Sequence, residues 1–286
     1  MPFLVGIHSD KPMSIPRLAT TYKHIGETPL VALERYRQAK QLPDNLPMAY
    51  AGRLDPMASG SLLLLLGDTC KEQELYHDLD KAYDFSVTFG LTSDTYDVLG
   101  RLEFAQAIPK ITQAQIETVC RAISNKNITL PYPIYSSKTV AGKPLHTWAL
   151  ENRLAEITIP QKTSRIYKLH CYKLVYKTGQ QIYKEASDMI ESIPPVTDAR
   201  KSLGADFRRQ DVRQDWQRFL DRYSTTEFPA ASFRCVVSSG TYVRSLSIHL
   251  AEKLETIGLA SSITRTHIGR YQPIWGAIGW WRKLYK

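Results

Sequence analysis

Cysteine is scarce in the 286-residue chain: Cys70, Cys120, Cys171 and Cys235 stand alone, with no C-x-x-C pair among them. That spacing excludes a cysteine zinc site and a disulfide framework. The N-terminus lacks the early basic residues and long apolar stretch of a targeting sequence, so a reducing, cytoplasmic setting is expected. The seven histidines form no H-x-H or H-E-x-x-H arrangement, and no metal site is expected. Long hydrophobic runs are missing too. Leu62–Leu66 falls far short of the ~20 residues needed to cross a bilayer, so no membrane partner is expected. No internal repeat or low-complexity linker divides the sequence.

What is present suits a folded protein with an anionic partner. The chain is 43% hydrophobic, enough for a sizeable core. Lys and Arg outnumber Asp and Glu by 37 to 28, a formal charge of +9, which favours nucleic acid or another acidic surface. Residues 28–41 read as a helix, with Thr28 as N-cap, Pro29 in the first turn, and Leu30, Leu33 and Tyr36 at helical spacing. Leu62–Leu66, bounded by Gly60 and Gly67, reads as a buried strand. Tyr83, Phe85, Val87 and Phe89 alternate with Asp84, Ser86 and Thr88, a strand with its aromatic face inward. Thr112 and Gln115 form a capping box ahead of Ile116, Val119 and Ile123. Residues 130–148, LPYPIYSSKTVAGKPLHTW, read as a loop with aromatics and lysines interleaved.

From about Lys177 to Phe228 charges become dense and mixed, and Val212, Trp216, Phe219, Leu220 and Tyr223 share one helical stripe. This reads as a helical insertion at about 177–228 in a mixed α/β domain. Its Arg208, Arg209, Arg213, Arg218 and Arg222 are candidates for phosphate contact, but neighbouring aspartates nearly cancel their charge, which favours a solvated helix face. Residues 232–238 then read as a strand, and Ser245–Leu254 as a helix with Leu246, Leu250 and Leu254 inward.

Three places carry groups suited to chemistry. Asp55 lies in AYAGRLDPMASG between Gly52 and Gly60. Asp-Pro is a common turn element; equally, glycines free the backbone to aim a carboxylate, with Arg53 close by. In SSGTYVRSLSIHL, a strand would project Tyr242 and Arg244 from the same face, suiting a flat base and a carboxylate, or simply a surface pair. Tyr83 opens the apolar face of its strand, where its hydroxyl needs a polar partner. None of the three is specific by itself.

Their order is. AGRLDPMASG, KAYDFSVTFGLTSDTYD, YPIYSSKTVAGKPLH, SGTYVRSLSIHLAEKL and RTHIG follow one another as the motifs of the TruB-type tRNA pseudouridine synthases do, and the chain resembles that family from about Asp10 to Ile268. The resemblance implies the pseudouridine synthase catalytic fold, a mainly antiparallel sheet flanked by helices, as one catalytic domain over 1–286. It implies a reaction on RNA needing no cofactor or metal, in which the C1′–N1 bond of a uridine is cut, the uracil is rotated, and the base is rejoined through C5. The T-loop uridine of tRNA is the expected target, with no obligate protein partner and a monomeric state.

By the same resemblance Asp55 is the catalytic aspartate, open to three routes: attack at C1′, addition to the uracil ring, or removal of a sugar proton. Tyr83 stacks on the target base and assists at C5, and Arg244 pairs with the aspartate. Tyr242 supports the base pocket, and Ile263 takes the place of an apolar residue packed on uracil. Tyr135, Lys138 and Lys143 belong to an RNA-gripping loop. The target must be flipped out of its stack, at a cost of a few kcal/mol.

Three differences from the family stand out. Tyr50 occupies a position that is commonly histidine. The N-terminal K-P-x-G-x-(S/T)-S signature is expected in DKPMSIPRLAT, with Ser14 in place of glycine. No clear C-terminal PUA domain follows; Trp275, Trp280, Trp281, Arg282, Lys283 and Lys286 in the last segment are expected to pack on the core. Alternatives to the tRNA reaction are the same chemistry on rRNA or mRNA, a non-catalytic tRNA-binding chaperone, and a dyskerin-like subunit of a guide-RNA particle.

Overall fold

The computed structural model describes residues 15–195, 208–274 and 279–282. Residues 10–14 of the DKPMSIPRLAT segment, including Ser14, and Trp275, Lys283 and Lys286 lie outside them. The elements run β1 (Leu18–Lys23), α1 (Pro29–Ala39), β2 (Met48–Ala51), β3 (Ala58–Leu66), β4 (Asp80–Phe89), β5 (Leu91–Ser93), β6 (Leu102–Phe104) and α2 (Gln113–Ile123). Then come β7 (Lys126–Pro131), β8 (Thr139–Val140), β9 (Lys143–Pro144), α3 (Leu145–Leu150), β10 (Gln161–Thr178), α4 (Gly179–Ser192) and α5 (Arg209–Tyr223). The described chain closes with β11 (Glu227–Val237), α6 (Val243–Lys253), β12 (Gly258–Pro273) and β13 (Gly279–Arg282).

Nine strands form one sheet, ordered β1-β3-β12-β4-β11-β10-β7, with β2 added to β3 and β13 to β12. All its pairings are antiparallel except β3 with β12. The mixed α/β, mainly antiparallel architecture expected from the sequence is the one observed. The leucine run fits because β3 is covered on both faces. Leu62, Leu64 and Leu66 pack with Ala32 and Leu33 of α1, while Leu63 and Leu65 face Leu18, Leu79 and Ile268. A strand buried on both sides needs no polar alternation.

The helix starts agree with their caps: Thr28 Oγ1 accepts from the Val31 amide, and the Thr112–Gln115 capping box is complete. Along α1 the expected stripe shifts, since Leu33 is buried with Ala32 whereas Leu30 is 58% exposed. The 130–148 segment is less loop-like than expected: it ends in α3, where Leu145 and Trp148 are buried and Trp148 Nε1 donates to the Val140 carbonyl at 3.0 Å. Trp281 packs beside His267 and Tyr271, whereas Trp280 is exposed.

The inserted helices begin later and end earlier than the composition suggested. β10 runs on through Thr178, β11 begins at Glu227, and α4 and α5 bridge these adjacent strands. Ile182, Ala186, Ile190, Val212, Trp216 and Phe219 join the main hydrophobic core together with Phe85, Phe89 and Phe228. Trp216 also donates to the carbonyl of Val98 at 2.9 Å. Four of the five expected stripe residues, Val212, Trp216, Phe219 and Tyr223, face inward onto the shared core, and Leu220 does not, so the pair is part of the body of the protein.

Candidate active-site cleft

Between β2 and β3 the chain makes the loop that carries Asp55. Its flanking residues Leu54 and Met57 are buried, 7% and 0% exposed, while Arg53 and Pro56 point outward. These two apolar anchors fix the loop on either side of the carboxylate. The Asp-Pro turn is real: the Asp55 carbonyl accepts from the Ala58 amide at 3.0 Å. Gly60 has φ of +113°, and a Cβ there would lie 2.2 Å from the carbonyl oxygen of Arg265, so the backbone of β12 can approach only a glycine.

The cation at Asp55 is Arg244, not the exposed Arg53. Arg244 Nε lies 2.8 Å from Asp55 Oδ2, an ion-pair contact whose direction is not that of a well-aligned hydrogen bond. Its side chain is 4% exposed, against 40% for Asp55. Nη1 donates to the Thr95 carbonyl at 2.8 Å and Nη2 to the Tyr135 carbonyl at 3.2 Å. Buried Asp97 lies 3.7 Å from the same Nε. Burial pushes the Asp97 carboxyl above the usual range, against the pull of Arg244 and of the Thr95 hydroxyl. The sequence gives Asp97 no mark beyond its place in TSDTYD.

Tyr242 and Arg244 do not share a strand face. Tyr242 is the N-cap of α6 and Arg244 lies in its first turn. The strand expectation fails because β11 ends at Val237 and a turn at Ser238–Thr241 intervenes. Both residues nevertheless reach one cleft of about 1090 Å³, which Asp55, Tyr83, Ile263, Tyr50 and Tyr135 also line. Tyr83 is 7% exposed and Ile263 5%. Burial raises the Tyr83 phenol, and Arg265 acts in the opposite sense. Tyr242 packs edge-on against Tyr132, 5.4 Å between ring centres. Lys138 and Lys143 are outside the cleft lining. Lys138 sits over the Tyr132 ring at 5.3 Å, and Lys143 pairs with Glu151 at 2.8 Å.

Two buried cations grip the Asp55 loop from beneath, and both escaped the sequence reading. Arg265 of β12, 1% exposed, donates to the carbonyls of Ser61, Arg53 and Gly52 at 2.7, 3.3 and 3.1 Å. Lys23, 0% exposed, donates to Ala58 at 2.6 Å and to His24 at 3.1 Å. Beside it the Gly26 amide donates to the Pro56 carbonyl at 3.0 Å. A signal for Lys23 was present. Lys23, Gly26 and Thr28 reproduce the K-x-x-G-x-T spacing of the signature expected at DKPMSIPRLAT, and they sit against the loop.

Burial lowers Lys23 to about 8, partly offset by Glu27 and Asp55, and lowers neighbouring Lys81 to about 8, with Arg265 adding to the effect. Below about pH 8 each buried ammonium therefore costs stability. That cost falls as pH rises through 8, because the unfolded lysines stay charged up to about 10.5. Cys120 and Cys235, both pushed up to about 12 by burial, act in the opposite sense once unfolded thiols begin to ionise near 8.5. Lys23 and Lys81 each add about 1 kcal/mol of unfolding free energy between roughly pH 7.5 and 9, and the unfolded thiols take most of that gain back. Urea denaturation of wild type and Lys23→Met at the two pH values checks it: the variant should gain about 1 kcal/mol less than wild type over that interval, and an equal pH dependence in the two would contradict it.

Among the described residues, no group of three or more His, Cys, Asp or Glu is placed to hold a metal ion, and no helix is long and apolar enough to cross a membrane.

Residues 40–187 match the TruB family pseudouridylate synthase (N terminal domain). The chain is 26% identical over 222 residues to tRNA pseudouridine synthase B of Caldicellulosiruptor saccharolyticus, covering 78% of this chain and 58% of that protein. It is 33% identical over 144 residues to tRNA pseudouridine synthase 4 of Schizosaccharomyces pombe, covering 50% of this chain and 33% of that one. The chain thus spans about three-fifths of the length of the bacterial relatives, at 58%, 60% and 59%. In fold it is similar to a chain in the crystal structure of a Cbf5-Nop10-Gar1 complex, at 15% identity and a TM-score of 0.50, over 88% of this chain and 48% of that one. With the matched segment covering 148 of 286 residues, the chain belongs to the TruB pseudouridylate synthase family.

Proposed function

We propose that this protein converts a uridine in RNA to pseudouridine, with the T-loop uridine of tRNA as its first candidate. The observation that carries the reading is the Asp55–Arg244 ion pair at 2.8 Å in a cleft that also holds Tyr83, Tyr242 and Ile263. A flipped uracil fits between the Tyr83 ring and Ile263, which recover part of the unstacking cost. Asp55 then faces the glycosidic bond as the reacting carboxylate. The C1′–N1 bond breaks, the base turns, C5 bonds to C1′, and the C5 proton is lost while N1 gains one. Tyr83 is the group placed nearest the base for assistance at C5. Tyr135 contributes to the RNA-facing wall; Lys138 and Lys143 act outside it, on the backbone of the bound loop. Members of this family named for tRNA support tRNA as the substrate, and Tyr50 in the cleft lining, in place of the family's usual histidine, makes other RNAs the second reading.

Transcripts carrying tritium at uridine C5 test this. Release into water from tRNA, exceeding that from rRNA or mRNA fragments, is the expected result. Tight tRNA binding with no release from any transcript would favour the chaperone reading instead. The same preparation should run as a monomer, and an RNA partner should bind less tightly as salt rises.

A further inference from the structure

The inserted helices reach the cleft itself. Ile190, Ile193, Pro194 and Val212 line it alongside Asp55 and Tyr83, and the C-terminal end of α4 abuts Gly26, where a Cβ would lie 2.2 Å from the Ser192 carbonyl oxygen. The arginines of this region are engaged within the protein. Arg209 donates to the carbonyls of Ile190, Ile193 and Pro194, Arg213 pairs with Glu191 at 2.6 Å, and Arg218 pairs with Asp215 at 3.1 Å. Cations committed in this way make a shaped wall in place of a phosphate-binding face.

Arg208 is the one tied to the segments that hold Arg244. It heads α5 with φ of +59°, a left-handed conformation that persists in a non-glycine residue when its surroundings fix it. Its guanidinium pairs with Asp94, at 2.5 and 3.3 Å, and lies over the Tyr135 ring, 4.5 Å from its centre. Arg244 grips the same two segments from the other side, through the carbonyls of Thr95 and Tyr135. Tyr135 is therefore held by its ring on one arginine and by its main chain on the other. The Asp94–Asp97 turn is shared in the same way. Arg101 completes the attachment, with its amide on Asp94 at 2.9 Å and its Nε on Asp215 of α5 at 2.6 Å.

We infer that Arg208 is a positioning residue for this cleft: through Tyr135 and Asp94 it fixes the two segments that hold Arg244 against Asp55. The inference rests on the proposed reaction for its catalytic meaning, but its structural content stands apart from it. A reacting group displaced by about 1 Å loses on the order of 10²-fold in rate. Arg208→Ala frees the Tyr135 ring and leaves Asp94 with the Arg101 amide but without its cation, so Arg244 loses rigidity in both its carbonyl partners.

Two measurements decide it. Exchange of the Arg244 Nε proton, followed by ¹⁵N NMR, should be at least about tenfold faster in Arg208→Ala than in wild type; unchanged exchange overturns the proposal whether or not the protein isomerises uridine. Single-turnover tritium release should fall by about 10–10²-fold in Arg208→Ala with tRNA affinity within about twofold, and Arg208→Lys, which keeps the charge and loses the planar stack, should recover only part of the rate. A weakened affinity at full single-turnover rate would instead make Arg208 a phosphate contact and overturn the inference. Wild-type protein that releases no tritium from any RNA counts against the proposed reaction, and the exchange measurement still decides the placement of Arg208.

Discussion

Asp55→Asn is expected to lower single-turnover tritium release from a tRNA transcript by on the order of 10³-fold or more, with tRNA affinity and fold preserved. The substitution keeps the side chain's shape and removes only its capacity to react as a carboxylate. The structure explains why the loss should be chemical. Arg244 keeps Asp97 at 3.7 Å and the carbonyls of Thr95 and Tyr135 after Asp55 is neutralised, so no buried charge is stranded. Leu54 and Met57 still seat the loop. Arg244→Ala, in contrast, strands Asp97 in the core, and removing one partner of a buried pair costs about 3–5 kcal/mol. A rate loss in Asp55→Asn of less than about tenfold would remove Asp55 from the centre of the reaction.

Much of the frame was legible because its signals are local. The leucine run, the Tyr83–Phe89 alternation and the Thr112 capping box each report on a few adjacent residues, and β3, β4 and α2 follow them. Arg244 was legible as a residue and not as a place. The T-Y-x-R spacing looks the same on a strand as across a strand–helix turn, and only the end of β11 at Val237 separates the two. The 130–148 segment misled through its glycine and prolines: Gly142 makes the turn between β8 and β9, and Pro144 closes β9 as the N-cap of α3.

The site's support was illegible for a different reason. A charged side chain is expected at the surface; only the Lys23–Gly26–Thr28 spacing marks Lys23, and nothing local shows that Lys81 and Arg265 are buried. Their partners are main-chain carbonyls, which every sequence supplies everywhere. Pairing of β12 with both β3 and β4 brings Arg265 beside Gly60 and Tyr83, across separations of about two hundred residues (Gly52 is 213 positions away). The helix pair misled similarly: its dense charge reads as solvated, yet one face completes the main core.

Arg265→Leu should therefore be among the most damaging changes outside the reacting groups. The guanidinium spans Gly52, Arg53 and Ser61 at 2.7–3.3 Å, joining the two arms of the loop that presents Asp55. Leucine fills part of the volume and leaves these carbonyls facing a buried side chain without a donor, at about 1–3 kcal/mol for each acceptor that fails to find water. A stability loss of about 3–5 kcal/mol in urea denaturation is expected. Arg265→Lys should restore only part of it, since an ammonium has no planar fork to serve two carbonyls and a third on the other arm. The Asp55 turn loses its anchor along with the stability, so single-turnover release in the folded fraction should drop by about 10²-fold. A variant that unfolds within about 1 kcal/mol of wild type, or that keeps the full rate once corrected for the folded fraction, would show that Leu54, Met57 and Lys23 hold the loop without Arg265.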